Sequence, residues 1–325
     1  MQVVQHYQQL FESYRKSHPF TGQPEGLYAP VNYIMDLGGK RLRPAMALMG
    51  YGLFQDEVQP ALPLAYAVEI FHNFTLVHDD IMDAAPLRRG KPTVHTLYNT
   101  NAAILSGDVM LISAYEYLLQ IRPQNRLPEV LAIFNRVARE VCEGQQMDMD
   151  FESRQDVSIP EYLRMIELKT AVLIAGCLAM GATAAGASQT DADRLYAFGQ
   201  LSGVAFQLQD DILDTFGSAE KVGKKIGGDI AQNKKTFLIL KALEIAPSPE
   251  KKRLHDLMHG KETGEATKIN EVTSILVQLG IRELAVQEKN RFRDLAMEEL
   301  DAIQCPEARK TPLKELAEAL IDREF

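Results

Sequence analysis

Helix-forming segments recur along almost the whole chain, while strand signals are nearly absent. Residues 128–150 and 283–303 are two examples, because each combines good helix formers with apolar side chains at helical spacing. No Asn-Gly or Asp-Gly pair separates two alternating apolar runs, and no regular alternation of strands and helices is visible. The sequence therefore predicts an all-α fold of about ten or more helices.

Proline and glycine lie mainly between these helical segments, as expected for residues that end helices. The breaks fall at residues 18–25, 121–128, 246–250 and 260–264. None of them is long enough to divide the chain. With 325 residues, 46% of them apolar, the chain can bury a large core. We therefore expect one domain that spans residues 1–325.

The charge and the cysteines exclude several classes of protein. The 44 acidic and 35 basic residues give a net charge of -9, so a general nucleic-acid binder is not expected. The chain has three cysteines, an odd number, and no two of them have CxxC spacing. This pattern fits neither a disulfide framework nor a zinc site. Reduced thiols in a cytoplasmic protein are the simplest interpretation.

Two segments bear on membrane association. The first 20 residues contain no basic stretch followed by an apolar run, so no signal peptide is predicted. Residues 171–187 form the most apolar stretch, but 17 residues rich in Ala and Gly are short for a bilayer span. We interpret this stretch as a buried core helix and expect no stable membrane insertion.

An acidic pattern, Asp-Asp-x-x-Asp, occurs at residues 79–83 and again 131 positions later at residues 210–214. Each copy follows an apolar helical stretch, and on a helix the first and last Asp share a face. The aligned carboxylates repel one another unless a cation is present. Oxygen ligands without nearby cysteine suit Mg²⁺. A solvated helix face is the alternative, and an EF-hand is excluded by its spacing.

Basic stretches accompany both acidic segments. Residues 38–44 (Gly-Gly-Lys-Arg-Leu-Arg-Pro) precede the first, and residues 88–91 (Arg-Arg-Gly-Lys) follow it; residues 223–229 and 233–236 follow the second. Arginine and lysine are the side chains that bind phosphates, although any one of them is commonly a surface charge. Together, the acidic and basic stretches predict a metal-assisted phosphate site.

In order and spacing, these motifs resemble the trans-isoprenyl diphosphate synthases, the polyprenyl synthetase family of class I isoprenoid (terpenoid) synthases. The resemblance covers about residues 37–236. It rests on residues 38–44, 76–83, 88–90, 107–108, 144–145, 169–170, 206–214 and 223–229.

The resemblance implies a single-domain helical bundle around a deep central cavity, and a homodimer. It also implies a reaction, the head-to-tail condensation of isopentenyl diphosphate with an allylic diphosphate (DMAPP, GPP or FPP). About three Mg²⁺ ions per active site would assist the ionisation of the allylic substrate.

The resemblance also assigns roles to individual residues. The metal ligands would come from Asp79, Asp80, Asp83, Asp210, Asp211 and Asp214, with Asp79, Asp83 and Asp210 binding directly. The allylic diphosphate would contact Arg88, Lys169, Lys224 and Lys234, and isopentenyl diphosphate would contact Lys40, Arg43, His72 and Arg89. Thr170 and Gln207 would line the reacting carbons, and Gln145 and Asp148 would lie near the metals. The catalytic set would be Asp79, Asp83, Arg88, Lys169, Thr170, Gln207, Asp210 and Lys224, with Lys225 as an alternative to Lys224.

Three residues before the first acidic segment bear on product length. Phe74 and Phe71 lie five and eight residues before Asp79, about 7.5 and 12 Å along a helix axis. They could form a floor that stops a growing chain, or they could be ordinary core aromatics. In the family, an aromatic residue five positions before the first Asp, next to a small residue such as Thr75, indicates a short-chain enzyme. We favour a C20 product, with a C15 product as the alternative.

Two other enzyme classes fit part of the pattern. A class I terpene cyclase uses similar metals but needs no second diphosphate site, so Lys40, Arg43 and Arg89 would have no role. A metal-dependent phosphohydrolase of the HD type could use His72, His78 and Asp79, but the second acidic segment would then be idle.

Overall fold

The computed structural model describes residues 2–217, 226–259 and 264–321, and α-helices dominate these ranges. The prediction of an all-α fold is confirmed. The sixteen α-helices within the described ranges are α1 (Gln2–Ser17), α2 (Glu25–Asp36), α3 (Leu42–Gly52), α4 (Leu62–Met82), α5 (Val94–Leu97), α6 (Thr100–Leu118), α7 (Leu127–Ser153), α8 (Ile159–Ile166), α9 (Val172–Ala184), α10 (Gln189–Phe216), α11 (Gly228–Ala231), α12 (Phe237–Ile245), α13 (Ser248–His259), α14 (Glu265–Gln278), α15 (Ile281–Asp301) and α16 (Glu307–Ile321).

Three kinds of short element interrupt these helices. One turn of π-helix, Glu167–Ala171, separates α8 from α9, and 3₁₀ turns lie at Gln59–Ala61 and Gln124–Arg126. The strands β1 (Leu87–Arg88) and β2 (Lys91–Pro92) form a small antiparallel hairpin. The π turn and the hairpin both carry residues of the predicted site.

The chain forms two compact units, each of which draws on three stretches of sequence. Unit 1 consists of Met1–Asn135, Gly176–Leu195 and Gln304–Leu313. Unit 2 consists of Arg136–Ala175, Tyr196–Ile303 and Lys314–Phe325. A single domain over residues 1–325 stays a prediction.

Within unit 1, α4 packs most extensively against α6 and also contacts α3. Glycines permit the closest helix contacts of this unit. A Cβ atom on Gly50 of α3 would lie 2.2 Å from the carbonyl oxygen of Leu178 in α9, and one on Gly181 would lie 2.1 Å from the carbonyl oxygen of Ala47. Larger residues at these two positions would force α3 and α9 apart.

Within unit 2, a continuous apolar cluster joins α8, α10 and the C-terminal helices. Tyr162 of α8 and Leu208 of α10 belong to this cluster, together with Leu238 of α12, Leu276 of α14 and Ala285 of α15. The sequence of α15 shows why it forms, since its apolar positions recur at helical spacing and its first residue follows Gly280, whose φ is +66°. The predicted helix at residues 283–303 is thereby confirmed.

The most apolar part of the chain lies inside the fold. By length and composition, Ile159–Ala184 could cross a membrane, with a mean hydropathy of 1.6, but 78% of its most apolar window is buried in the protein. This agrees with the prediction of a core helix at residues 171–187. The cysteines are free, and burial raises the pKa of the Cys177 thiol to about 12.

Candidate active site

The residues that the sequence assigned to the site fall into both units. Unit 1 contains Lys40, Arg43, Phe71, His72, Phe74, Thr75, Asp79, Asp80, Asp83, Arg88 and Arg89. Unit 2 contains Gln145, Asp148, Lys169, Thr170, Gln207, Asp210, Asp211, Asp214 and Lys234. Lys224 and Lys225 lie outside the described residues.

The first acidic segment forms the end of α4. Asp79 is half-buried, and Asp83 is the exposed C-cap, whose backbone N–H donates to the Asp79 carbonyl oxygen at 2.8 Å. Asp80 differs from both, because it is only 1% exposed and accepts hydrogen bonds from Arg88 Nε (2.8 Å) and Arg88 Nη2 (2.7 Å). The bidentate pair anchors Asp80. Asp79 and Asp83 lie four positions apart and therefore share a face at the end of the helix.

The hairpin β1–β2 holds the two arginines that follow this segment. Its two-residue turn is Arg89-Gly90, and both residues have positive φ, +53° and +74°. Arg89 Nη1 donates a hydrogen bond to the carbonyl oxygen of Gly38. A Cβ atom on Gly39 would lie 2.9 Å from Arg89 Nη1 and would displace the guanidinium, and the φ of Gly39, +132°, also favours glycine. The two basic loops of unit 1 are thus in direct contact.

Arg41, in the first of these loops, does not point toward a ligand. It adopts a left-handed conformation, with φ at +46°, and its side chain is buried. Arg41 Nη1 donates to Glu69 at 2.6 Å, Arg41 Nε donates to Glu12 at 2.7 Å, and Arg41 Nη2 donates to the Met35 carbonyl oxygen at 2.6 Å. This network ties the basic loop to α1, α2 and α4, and it leaves Lys40 exposed.

We expect Glu69→Ala to lower the free energy of unfolding by about 3–5 kcal/mol, because Arg41 would lose its buried carboxylate partner. The control is Asp36, which is 67% exposed and pairs with Arg15 (2.7 Å), because Arg15 would keep its second partner Glu12. Asp36→Ala should cost less than about 1 kcal/mol. Urea unfolding followed by circular dichroism measures both variants, and equal losses would contradict a structural role for the Arg41 network.

Arg43 and His72 form the part of unit 1 best suited to an anion. Their Nη1 and Nε2 atoms lie 3.1 Å apart. Burial lowers the pKa of His72 well below its ordinary value, and four positive charges lower it further: Arg43, Arg89, Arg88 and Arg41. His72 is therefore neutral near pH 7, so Nε2 accepts from Arg43 and the ring proton is on Nδ1.

The Nε–H group of Arg43 strengthens this interpretation. Its Nε atom is buried and has no hydrogen-bond partner among the described residues. A buried donor without a partner costs free energy, which an anionic ligand would recover. The Arg43 Nε–H group therefore offers a donor for a diphosphate in unit 1.

The aromatic residues of α4 differ in their surroundings. Phe71 is 1% exposed and packs edge-on against Phe134, with ring centroids 5.2 Å apart. Phe74 is half-buried and contacts Phe71 (5.7 Å) and His78 (4.8 Å). Thr75 donates from Oγ1 to the His72 carbonyl oxygen at 2.8 Å. Phe71 is thus a core aromatic, whereas Phe74 is only half-buried, and its role in product length stays a prediction.

In the second acidic segment, in unit 2, the first two aspartates differ in burial, as they do in the first segment. Asp210 is half-buried, while Asp211 is 3% exposed and accepts a hydrogen bond from the Tyr162 hydroxyl. Burial raises the pKa of Asp211 to about 7, the Tyr162 hydrogen bond opposes this shift, and the charge of Asp229 adds to it. Asp211, like Asp80, is held by the protein itself.

Asp214 is also engaged with the protein. Its Oδ2 accepts from the Asp229 backbone N–H at 3.0 Å, and its carbonyl oxygen accepts from the Gly227 N–H at 2.7 Å. These bonds fix the start of α11. Lys234 follows α11, and its ammonium lies 3.5 Å from Asp229 Oδ1. That Asp210, the first aspartate of this segment, binds a metal directly stays a prediction from the sequence pattern.

The π turn presents the predicted pair Lys169 and Thr170, and both are half-buried. Lys169 Nζ donates to Asp148 of α7 at 2.5 Å. Two glycines make room for this wide turn. A Cβ atom on Gly144 of α7 would lie 2.3 Å from the Lys169 nitrogen, and one on Gly203 of α10 would lie 2.6 Å from Ala171 Cβ. Single π turns are frequent at functional sites.

Gln145, next to Gly144 in unit 2, has a buried side-chain amide without hydrogen-bond partners among the described residues. The residue is 7% exposed. Gln145 and Asp148 are three positions apart on α7 and therefore share a face. This polar face and Lys169 form a second surface suited to charged or polar ligand atoms.

The donor chemistry of both units fits Mg²⁺. Asp79, Asp83 and Asp210 supply carboxylate oxygens, which this ion prefers. Within residues 2–217, 226–259 and 264–321, no group of three or more His, Cys, Asp or Glu side chains could hold a metal. Mg²⁺ commonly binds through one or two carboxylates and completes its coordination with water and substrate phosphates, so the two observations agree.

Sequence reasoning missed the residues that support the site from a distance. Arg41 appeared as one cation among three, and Glu69, Tyr162 and Gly203 had no assigned role. A buried charge at Glu69 in an otherwise apolar helix is the one signal in this group that the sequence offered. The partners of the others lie too far away in sequence for a local pattern to reveal them.

A helical fold with two Asp-Asp-x-x-Asp segments, each beside basic side chains, defines the class of isoprenoid synthases. The family model of polyprenyl synthetases matches residues 24–276. The chain belongs to the polyprenyl synthetase family. Enzymes of this family use Mg²⁺.

Individual relatives agree with this assignment. The chain is 37% identical to a geranylgeranyl diphosphate synthase of Methanosarcina mazei over 93% of this chain and 91% of that protein. It is 36% identical to a geranylfarnesyl diphosphate synthase of Natronomonas pharaonis over 84% and 88%. A crystal structure of a geranylgeranyl pyrophosphate synthase superposes with a TM-score of 0.93, at 41% identity and 99% coverage of both chains.

Proposed function

We propose that this protein is a trans-prenyltransferase of isoprenoid biosynthesis. It condenses isopentenyl diphosphate with allylic diphosphates and releases an all-trans prenyl diphosphate, with C20 geranylgeranyl diphosphate as the main product. The observation that carries this proposal is the contact between the two basic loops of unit 1, Arg89 with Gly38, beside the Arg43–His72 pair. A second diphosphate site is what a synthase needs and a terpene cyclase does not.

The protein residues divide the work between two substrates. Arg43, His72, Lys40 and Arg89 bind isopentenyl diphosphate, and His72 acts as a neutral donor through Nδ1. Lys169, Lys234 and Arg88 bind the allylic diphosphate, together with Lys224 or Lys225. When about three Mg²⁺ ions are bound, they neutralise the charge that develops on the departing diphosphate.

The reaction then requires exclusion of water and correct placement of two carbons. The allylic C–O bond breaks, the terminal alkene carbon of isopentenyl diphosphate bonds to the allylic carbon, and one proton leaves the resulting cation. Thr170 and Gln207 lie beside the reacting carbons, and the departing diphosphate accepts the proton. Fixed cations such as Lys169 stabilise the charge most strongly as it develops, and apolar walls keep water from the cation.

The rival functions each leave part of the molecule unused. A C15 synthase differs only in product length, and the two relatives described above are named for C20 and C25 products. A terpene cyclase would leave Lys40, Arg43 and Arg89 without a ligand. An HD-type phosphohydrolase would leave unit 2 without a role, including the Lys169–Asp148 pair.

We also propose that the protein is a cytoplasmic homodimer without stable membrane insertion. The helix α6 packs against α4, yet its residues Leu105 and Ile112 are 58% and 59% exposed, and its C-cap residue Leu119, seven positions further on, is 56% exposed. A second copy would cover this apolar stripe. Sedimentation velocity should give twice the chain mass of 36.4 kDa, and a monomer would contradict the dimer. Cell fractionation tests the location.

One experiment tests the activity and the product length together. Purified protein, Mg²⁺ and isopentenyl diphosphate are incubated with DMAPP, GPP or FPP in turn, and the dephosphorylated products are separated by chromatography. We expect geranylgeraniol from all three starters and no product with chelator. Cyclic or hydrolysed products without elongation would support a rival function, and farnesol alone would support the C15 alternative.

A further inference from the structure

Two neighbouring residues of α14 contact the chain on both sides of the short helix α11. Ile269 packs against Gly227, where a Cβ atom would lie 2.6 Å from Ile269 Cγ2 and where φ is +78°. Lys268 reaches the other end, where its Nζ lies 3.4 Å from the Ala231 carbonyl oxygen. The segment that follows the second acidic cluster is therefore held from a helix that carries no recognised motif.

Lys268 is an unusual residue for a surface helix. It is 7% exposed, and its ammonium donates a hydrogen bond to the Asn233 side-chain oxygen in addition to the Ala231 carbonyl. A buried ammonium is costly unless it is hydrogen-bonded, so both acceptors are needed to keep it there. Asn233 has a φ of +58°, and the contact with Lys268 fixes its side chain in that turn.

Asn233 precedes Lys234, which the sequence assigned to the allylic diphosphate. The backbone N–H of Lys234 donates to the Asp229 carbonyl oxygen at 2.9 Å. Asp229 in turn donates its backbone N–H to Asp214 at 3.0 Å. The hydrogen bonds thus run from Lys268 through Asn233 and the residues 229–234 to the second acidic segment.

We infer that Lys268 is a positioning residue, which fixes the turn at Asn233 so that Lys234 is presented to the allylic diphosphate. The inference rests on the proposed function for the role of Lys234. Lys268 itself contacts no substrate. Its effect should therefore appear in the binding of one substrate and leave the binding of the other unchanged.

The test compares Lys268→Met with Lys289→Met. Lys289 of α15 is also a buried lysine of unit 2, 6% exposed, and its Nζ lies 3.3 Å from the Ile321 carbonyl oxygen. We expect Lys268→Met to raise KM for the allylic diphosphate about tenfold, the typical loss for one charged hydrogen bond, with KM for isopentenyl diphosphate unchanged. Lys289→Met should change neither constant. Equal kinetics of the two variants would overturn the inference.

A double substitution tests whether Lys268 acts through Asn233. Asn233→Gly removes the side-chain acceptor but keeps a residue that tolerates positive φ. If the two residues act as one unit, the double variant has the same KM as either single variant, whereas multiplied effects would contradict the inference.

Amide hydrogen exchange provides a readout that does not depend on catalysis. Lys268→Met should speed exchange in residues 229–234 at least about tenfold, and Lys289→Met should leave these residues unchanged. If the wild-type protein makes no prenyl product while this exchange difference is present, the proposed function fails, but the role of Lys268 in fixing residues 229–234 stands. If the wild-type protein makes prenyl product but Lys268→Met leaves the exchange of residues 229–234 unchanged, the inference fails while the proposed function stands.

Discussion

Replacing either Asp79 or Asp210 by alanine is expected to lower prenyl transfer by at least about 10³-fold while the fold remains intact. Each residue is the half-buried first aspartate of its acidic segment, and the resemblance to the family assigns both of them to Mg²⁺. Without Mg²⁺ at either segment, the departing diphosphate would lose much of the charge stabilisation that its release requires. Steady-state assays with FPP and isopentenyl diphosphate measure the loss.

The control for these two variants is Asp193→Ala. Asp193 lies on α10, as Asp210 does, but it is exposed near the start of the helix and accepts a hydrogen bond from Gln189 four residues earlier. Its replacement should leave activity within about twofold, since surface changes of this kind rarely matter. Circular dichroism and thermal midpoints verify that all variants fold. Near-normal rates for Asp79→Ala or Asp210→Ala would remove the metal assignment.

A change of product length is the second large effect that we expect. Phe74→Ala should shift the main product from C20 to C25 or longer, because Phe74 is the half-buried aromatic of α4 and its removal opens space beside Phe71. Adding Phe71→Ala should lengthen the product further. Phe71→Ala should also lower the free energy of unfolding by about 3–5 kcal/mol, since Phe71 is a core residue. Chromatography of the dephosphorylated products measures the distribution.

Phe20→Ala is the matched control for product length. Phe20 is also half-buried in unit 1, but it packs against Tyr66, with ring centroids 6.1 Å apart. The product of this variant should remain C20. If Phe74→Ala and the double variant make only C20, Phe74 is an ordinary core aromatic and the limit on chain length lies elsewhere.

The long helices named in the sequence analysis were predictable because they depend on local periodicity. The pattern at residues 128–150 corresponds to α7, Leu127–Ser153, and the apolar run before Asp79 corresponds to the second half of α4. The hairpin and the π turn were not predictable in this way. The hairpin needs two successive residues with positive φ, one of them Arg89. The π turn needs Gly144 and Gly203, which approach it from two other helices.

The site was predictable where residue type alone indicates chemistry. Clustered aspartates predicted metal ligands, and the Gly-rich basic loops predicted phosphate contacts. The sequence could not show which aspartate of a cluster is bound by the protein itself. Asp79 and Asp80 are the same residue type, and only the structure shows that Arg88 binds Asp80. Nor could it reveal Tyr162, whose partner Asp211 is 49 residues away.

The central claim of the proposed function is that each acidic segment binds Mg²⁺ and that the allylic diphosphate needs this Mg²⁺ to bind. Calorimetric titration with a thio analogue of FPP, whose C–S bond does not ionise, tests it most directly. We predict that binding requires Mg²⁺ and that Asp79→Ala and Asp210→Ala each weaken it by more than about tenfold, or 1.4 kcal/mol. Equal affinity with and without Mg²⁺, or weakening in only one of the two variants, would contradict the claim.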